Sequence, residues 1–176
     1  RKQFLQQEAD FCPGLIDPGD AFPPLVLQLP LRCIVLGLLD IAGQLENGVT
    51  IHNFYVPAGG DEPNREKNVK FAQKLDYLTD MRDHFVANTP TKSILVGDLN
   101  IAPREDDVWD HKKMLKVVSH TPIEVEHLAE VQAAGKWVDV TRQDIADGLL
   151  YSWWSYRAKD WDAADKGRRL DHIWAT

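Results

Sequence analysis

Ser93-Ile94-Leu95-Val96-Gly97-Asp98-Leu99-Asn100 opens as an apolar run and closes on a glycine, a carboxylate and, two residues later, a carboxamide. The run Ile94-Leu95-Val96 reads as a strand buried on both faces. Residues two apart in an extended backbone point to the same side, so Asp98 and Asn100 converge on one point. A charged and a neutral oxygen at the end of a buried strand suit a hard cation such as Mg²⁺. The same residues also fit a plainer reading, an Asp that ends a strand and an Asn that starts a turn. The flanking sequence decides between the two.

Upstream, Glu46-Asn47-Gly48 is a hairpin turn signal. Residues 49–57 read as a strand apolar on both faces, ended by Pro57 and Ala58-Gly59-Gly60. Tyr55 stands at its C-terminal end, where α/β sheets expose functional groups, although a packed ring is the commoner role for a Tyr there. Asn64 is the predicted N-cap of a helix running to about Val86, with Phe71, Leu75, Leu78, Met81 and Phe85 at helical spacing. Its charges, Lys70, Lys74, Asp76, Asp80 and Asp83, are assigned to a solvated face. Strand, helix and strand in this order predict a crossover unit that brings Tyr55 to the same rim as Asp98 and Asn100.

Downstream, Ile101-Ala102-Pro103 leads into a long charged loop. Thr121-Pro122-Ile123-Glu124 has the cap, proline and early acid that start a helix, predicted to end near Gly135. Trp137-Val138-Asp139-Val140 reads as a short strand or turn. Tyr151-Ser152-Trp153-Trp154-Ser155-Tyr156-Arg157 is an aromatic run that reads as a core strand. Arg157, Lys159, Lys166, Arg168 and Arg169 follow, interleaved with Asp160, Asp162 and Asp165. Aromatics beside arginines suit a nucleic-acid backbone and an unstacked nucleotide, while a charged solvated loop is the plainer reading. Arg169-Leu170-Asp171-His172-Ile173-Trp174 is predicted as a last strand, with Asp171 and His172 on opposite faces. Asp171 is expected to be buried with a specific partner, and His172 to be an ordinary packed or surface histidine.

The chain of 176 residues has room for one sizeable core, and its composition, 44% hydrophobic and 27% charged, is that of a globular protein. A formal net charge of -7 gives no global attraction to polyanions, so a nucleic-acid partner would need a local basic patch. Cys12 and Cys33 are too few for a disulfide framework, which sets a reducing, cytoplasmic location as the expectation. Residues 25–45, interrupted by Gln28, Pro30, Arg32 and Asp40, do not read as a membrane span, and Gln6-Gln7-Glu8-Ala9-Asp10 stands where a secretory signal would have an apolar core. Pro13, Pro18, Pro23, Pro24 and Pro30 break the first thirty residues, after which residues 33–39 read as one buried strand.

Six blocks in order carry a resemblance: Asn53-Phe54-Tyr55-Val56-Pro57, Gly97-Asp98-Leu99-Asn100-Ile101-Ala102-Pro103, Thr121-Pro122, Val138-Asp139, the aromatic run 151–157, and Gly167-Arg168-Arg169-Leu170-Asp171-His172. Together they resemble the exodeoxyribonuclease III family of apurinic/apyrimidinic (AP) endonucleases, within the endonuclease/exonuclease/phosphatase superfamily. The resemblance implies an α/β fold, a four-layer sandwich of two mixed β-sheets flanked by helices, incomplete in this chain. It implies metal-dependent phosphodiester hydrolysis on double-stranded DNA with abasic sites or 3' ends, in DNA repair, by a monomer using Mg²⁺ (or Mn²⁺). Asp98 then matches the aspartate that handles the proton of the attacking water or the leaving group, and Asn100 the asparagine that stabilises the transition state. Both belong to the implied metal cluster. Tyr55 matches a tyrosine that contacts the phosphate, and Asp171 the aspartate that orients a catalytic histidine. Trp153 and Leu170 match the pocket for a flipped-out abasic sugar, with Arg168 and Arg169 in the same substrate-binding stretch. Such roles meet the demands of phosphodiester hydrolysis.

The family's early Trp-Asn and Gln-Glu pairs do not occur in residues 1–45, and its closing Ser-Asp-His motif does not occur in the last residues. The expectation is therefore a divergent or mis-framed segment over residues 1–45, then a family-type domain over residues 46–176 without its C-terminal end. Loss of the acid–base partner forfeits orders of magnitude in rate, so nicking near background is expected. A catalytically inactive remnant with at most DNA binding is the rival reading. A calcineurin-type phosphatase is a third, and its Gly-Asp-x-x-Asp and Gly-Asn-His motifs are absent. Open sheet edges make aggregation or dimerisation a hazard.

Overall fold

The structure, a computed structural model, describes residues 41–155 and 160–176. The expectations for the N-terminal segment, including the strand over residues 33–39, and for Arg157 and Lys159 lie outside the described residues. Strand β1 (Ile41–Gln44) turns into antiparallel β2 (Thr50–Asn53), with Ala42 opposite His52. The turn is the predicted one: Gly48 sits at φ 82°, its N–H donates to the Leu45 carbonyl, and Asn47 Oδ1 accepts from the Val49 N–H. Helix α1 (Val69–Ala87) crosses over to β3 (Ser93–Asp98), which is parallel to β2 with His52 opposite Leu95. Strand β7 (Asp171–Ala175) pairs antiparallel with β3, and β4 (Val138–Asp139) with β7. The mixed sheet has the order β1-β2-β3-β7-β4.

Helix α1 starts at Asn68, four residues later than expected. Asn68 accepts from the Lys70 N–H, whereas Asn64 accepts from the Glu66 and Lys67 N–H groups and closes only a preceding turn. A short helix α2 (His111–Met114) is followed by α3 (Pro122–Ala134), which begins and ends as the sequence predicts. Helices α1 and α3 pack together over one face of the sheet. Phe54, Val56, Leu95, Leu99 and Trp174 from the sheet side meet Leu78, Met81, Phe85, Leu128 and Val131 there.

The opposite face is open among the described residues, with Ile94 and Val96 half-buried and Ile173 exposed. Strand β3 is therefore buried on one face, not on both. Among the described residues the aromatic run holds the two-residue β5 (Trp153–Trp154), paired antiparallel with β6 (Gly167–Arg168), and short helices α4 (Val140–Asp144) and α5 (Trp161–Ala164) lie to either side along the chain. The fold is thus α/β, a mixed five-stranded sheet and a small antiparallel second sheet flanked by helices. No helix among the described residues is long and apolar enough to cross a membrane.

Gly97 is where this sheet admits no side chain. It lies at φ 138°, and a Cβ there would stand 2.0 Å from the Phe54 carbonyl oxygen. Gly97→Ala is expected to destabilise by about 3 kcal/mol or more, lowering the thermal midpoint by roughly 10 °C. Gly148→Ala, at φ 91° in open space, is expected to cost only about 1 kcal/mol of backbone strain. Thermal unfolding followed by circular dichroism compares the two.

Candidate active site

The end of β3 is held from both sides. The Phe54 and Val56 N–H groups donate to the Val96 and Asp98 carbonyls, so β2's path continues past Tyr55 beyond its regular pairing. On the other side Asp98 lies directly opposite Asp171, and the Leu99 N–H donates to the Leu170 carbonyl. Directly opposed residues of an antiparallel pair project to the same face. Alternation along β2 puts Phe54 in the core and Tyr55, 53% exposed, outward. Tyr55, Asp98 and Asp171 therefore meet at one rim of the sheet, as the crossover predicted for Tyr55.

Asp171 is exposed, contrary to the expectation of a buried and partnered carboxylate. The reason is the alternation of β7, which commits His172 and Trp174 to the core. His172 is the buried member of the pair; its Nε2–H donates to the Ile101 carbonyl, and burial pushes its pKa down to about 4. Asp98 moves the other way. Burial, reinforced by the neighbouring Asp171 carboxylate, raises its pKa to about 6, against the opposing effects of the Asn100 N–H and Lys74.

Asn100 is 9% exposed and left-handed, at φ 53°, a conformation its short amide side chain tolerates. Its N–H donates to Asp98 Oδ1 at 2.9 Å, and its Nδ2 donates to the Val56 carbonyl at 2.8 Å. Asn100 is thus both the turn residue of the plainer sequence reading and a partner of Asp98. Beneath it, Lys74 Nζ donates to the Asn100 carbonyl at 2.8 Å and to Glu124 Oε1 at 2.6 Å. Lys74 and Glu124 are fully buried, so the assignment of Lys74 to a solvated face is corrected. Burial lowers the Lys74 pKa, and Glu124 opposes that shift. Glu124 also accepts from the Ser119 and Thr121 N–H groups and the Thr121 hydroxyl, which closes the start of α3.

Leu170 and Trp153 come together in a small apolar cluster with Ala102, Val108 and Met114. The Arg168 guanidinium stacks 5.3 Å above the Trp153 ring and donates to Ser119 Oγ and the Val118 carbonyl. Arg169 turns the other way. Its fork is bidentate on Asp107 (2.8 and 3.0 Å) and its Nη1 donates to Asp139, so its charge is enclosed in the fold. Arg142 also pairs with Asp107, whose pKa those cations hold down against burial. Ser152, which has no part in the expected site, accepts the Leu170 and Asp171 N–H groups on its Oγ at 3.0 Å and sets the approach to β7. A serine between aromatics gave no signal of that kind.

Among the described residues no group of three or more His, Cys, Asp or Glu side chains is placed to hold a metal. The donors that do meet are hard oxygens: Asp98, Asp171 across the strand pair, and Asn100 Oδ1, which accepts no hydrogen bond among the described residues. A raised Asp98 pKa beside a second carboxylate marks negative charge that a divalent cation would relieve. Such a set fits an oxygen-seeking ion that completes its shell with water and phosphate oxygens.

Residues 17–176 match the model of the endonuclease/exonuclease/phosphatase family. No curated protein matches. Among solved structures, an AP endonuclease from Archaeoglobus fulgidus is similar at 26% identity and a TM-score of 0.69, over 79% of this chain and 52% of that one. A 3'-5' exonuclease from Neisseria meningitidis shares the fold at 24% identity and a TM-score of 0.68, over 78% and 52%. An AP endonuclease from Leishmania major does so at 21% and 0.61, over 79% and 45%. The chain thus spans about half the length of the structures it matches.

The rim makes a titration prediction. Asp98 is expected to titrate near pH 6, seen by carboxyl ¹³C NMR, and Asp171→Asn is expected to lower that midpoint without restoring an ordinary one, because burial remains. Because the folded-state pKa is raised, the folded protein holds this proton between about pH 4 and 6 and loses the associated stability as pH rises through that window. An Asp98 midpoint unmoved by Asp171→Asn would exclude coupling between the two.

Proposed function

The chain belongs to the endonuclease/exonuclease/phosphatase family, and on that premise we propose that its rim serves metal-dependent phosphodiester hydrolysis on DNA. The specific reading is exodeoxyribonuclease III-like: cleavage at abasic sites or at 3' ends, in DNA repair. The observation that carries it is Asp98 with its raised pKa, opposite Asp171 and tied to Asn100 at an accessible sheet rim. Without a metal, a carboxylate of that pKa holds and releases a proton near neutrality, and a bound cation would keep it ionised as a base.

Each residue then has a task at the scissile phosphate. Asp98 takes a proton from the attacking water or returns one to the leaving oxygen. Tyr55, exposed at the end of β2, offers its hydroxyl to a phosphate oxygen. Mg²⁺ or Mn²⁺, held by Asp98 and Asn100 with Asp171 alongside, would supply Lewis-acid stabilisation of charge on the phosphate. Half-buried Trp153, backed by the buried Leu170, offers an apolar surface to an unstacked sugar, and Arg168 stacks a cation over that ring beside the path of the DNA backbone. Arg169 supports the site from within, through Asp107 and Asp139. The AP endonuclease from Archaeoglobus fulgidus and a 3' phosphatase from Neisseria bound to a product DNA hairpin support DNA as the substrate class.

One observation favours the second reading, a domain that holds DNA without turning it over. No histidine among the described residues is hydrogen-bonded to Asp171, and His172 is committed to the Ile101 carbonyl. Incubation with a duplex carrying one abasic site decides between them. The phosphodiesterase reading expects Mg²⁺-dependent nicking, however slow, that falls to the protein-free rate in Asp98→Ala and at least about tenfold in Tyr55→Phe. Retention of the duplex with nicking at the protein-free rate in the unaltered chain establishes the second reading.

A further inference from the structure

Lys74 sits in the second turn of α1 with no exposed side-chain surface, among the core residues Phe71, Leu75, Tyr77 and Leu78. Enclosing an ion pair adds little net stability, because the Coulomb gain is offset by desolvation and an apolar pair of similar volume does as well or better. What an ammonium adds is direction: three donors from one point. Lys74 Nζ reaches Glu124 Oε1 at 2.6 Å, the Asn100 carbonyl at 2.8 Å and the Ala58 carbonyl at 3.5 Å. Those acceptors lie on three different segments, the start of α3, the loop after β3 and the loop after β2. The chain closes tightly around the stem, since a Cβ on Gly59 would stand 2.9 Å from Lys74 Cδ.

We propose that Lys74, held in place by Glu124, is the positioning residue of the rim. It anchors the Asn100 carbonyl, fixes Asn100 in its left-handed conformation, and thereby aims the Asn100 N–H at Asp98 and turns Asn100 Oδ1 outward. By holding the Ala58 carbonyl as well, it sets the loop that follows Tyr55 against the loop that carries Asn100. Lys74 touches no reacting atom; it acts through Asn100. The inference rests on the reading of Asp98 and Asn100 as the reactive pair, but the geometry exists in the free protein and is measurable there.

Amide hydrogen exchange on the ¹⁵N-labelled full chain tests it, with Lys74→Met, the uncharged double variant Lys74→Met/Glu124→Gln, and Phe85→Ala as a control. Phe85 is fully buried about three turns along α1, so its truncation lowers stability away from the rim. In both Lys74 variants the Asn100 N–H is expected to exchange at least about tenfold faster than in Phe85→Ala under conditions of equal global stability. Nicking, where the unaltered chain shows it, is expected to lose kcat with little change in KM. Asn100 exchange that tracks global stability alone in all three variants overturns the proposal, and so does failure of both Lys74 variants to fold, which would assign the pair to stability. Exchange that responds in a chain that never nicks DNA supports the positioning role and removes the nuclease reading instead.

Discussion

Pairing β3 antiparallel to β7 in the register that sets Asp98 opposite Asp171 forces two carboxylates to share one rim. Burial is the main reason the Asp98 pKa rises to about 6, and the like charge of Asp171 adds to it. The rest of the molecule holds that pairing in register. Leu95, Trp174 and His172 anchor the two strands from the core side, and a one-residue slip would exchange those residues with Val96, Ile173 and Asp171. Gly97 allows β2's continuation to lie against β3 at this point.

Charge is also used inside the fold, in two separate places. Lys74 and Glu124 join α1, α3 and the loops after β2 and β3. Asp107 gathers Arg142 and Arg169, and Arg169 reaches on to Asp139, which ties the long loop after β3 to β4 and to the strand that carries Arg168. Neither set follows from hydrophobic burial. Both act where loops must be held at fixed distances from the rim, and charge-assisted hydrogen bonds supply that directionality.

The sequence was most legible where chain geometry alone decides the outcome. The Asn47-Gly48 turn, the crossover through α1, the span of α3 and the opposite faces of Asp171 and His172 all follow from local rules of turn chemistry and periodicity. Asp171 shows where those rules end: alternation correctly separated it from His172, but which face is covered depends on packing among distant segments, and the assignment of burial was reversed. Lys74 was misplaced for the same reason, since its acceptor Glu124 lies fifty residues away in the chain. Arg169 looked like a surface cation because its carboxylate partners stand on two other segments. The aromatic run suggested a longer strand than β5, whose partner β6 offers only two residues of ladder.

A paramagnetic ion reports on the single rim built by β2, β3 and β7 without needing turnover. Mn²⁺ titrated into the ¹⁵N,¹³C-labelled chain broadens NMR signals near where it binds. A cation site at this rim predicts that broadening appears first at Asp98, Asn100 and Asp171, and that Asp98→Ala abolishes it. Broadening that begins elsewhere, at exposed acids such as Asp61 and Glu62, and that persists unchanged in Asp98→Ala, would contradict it.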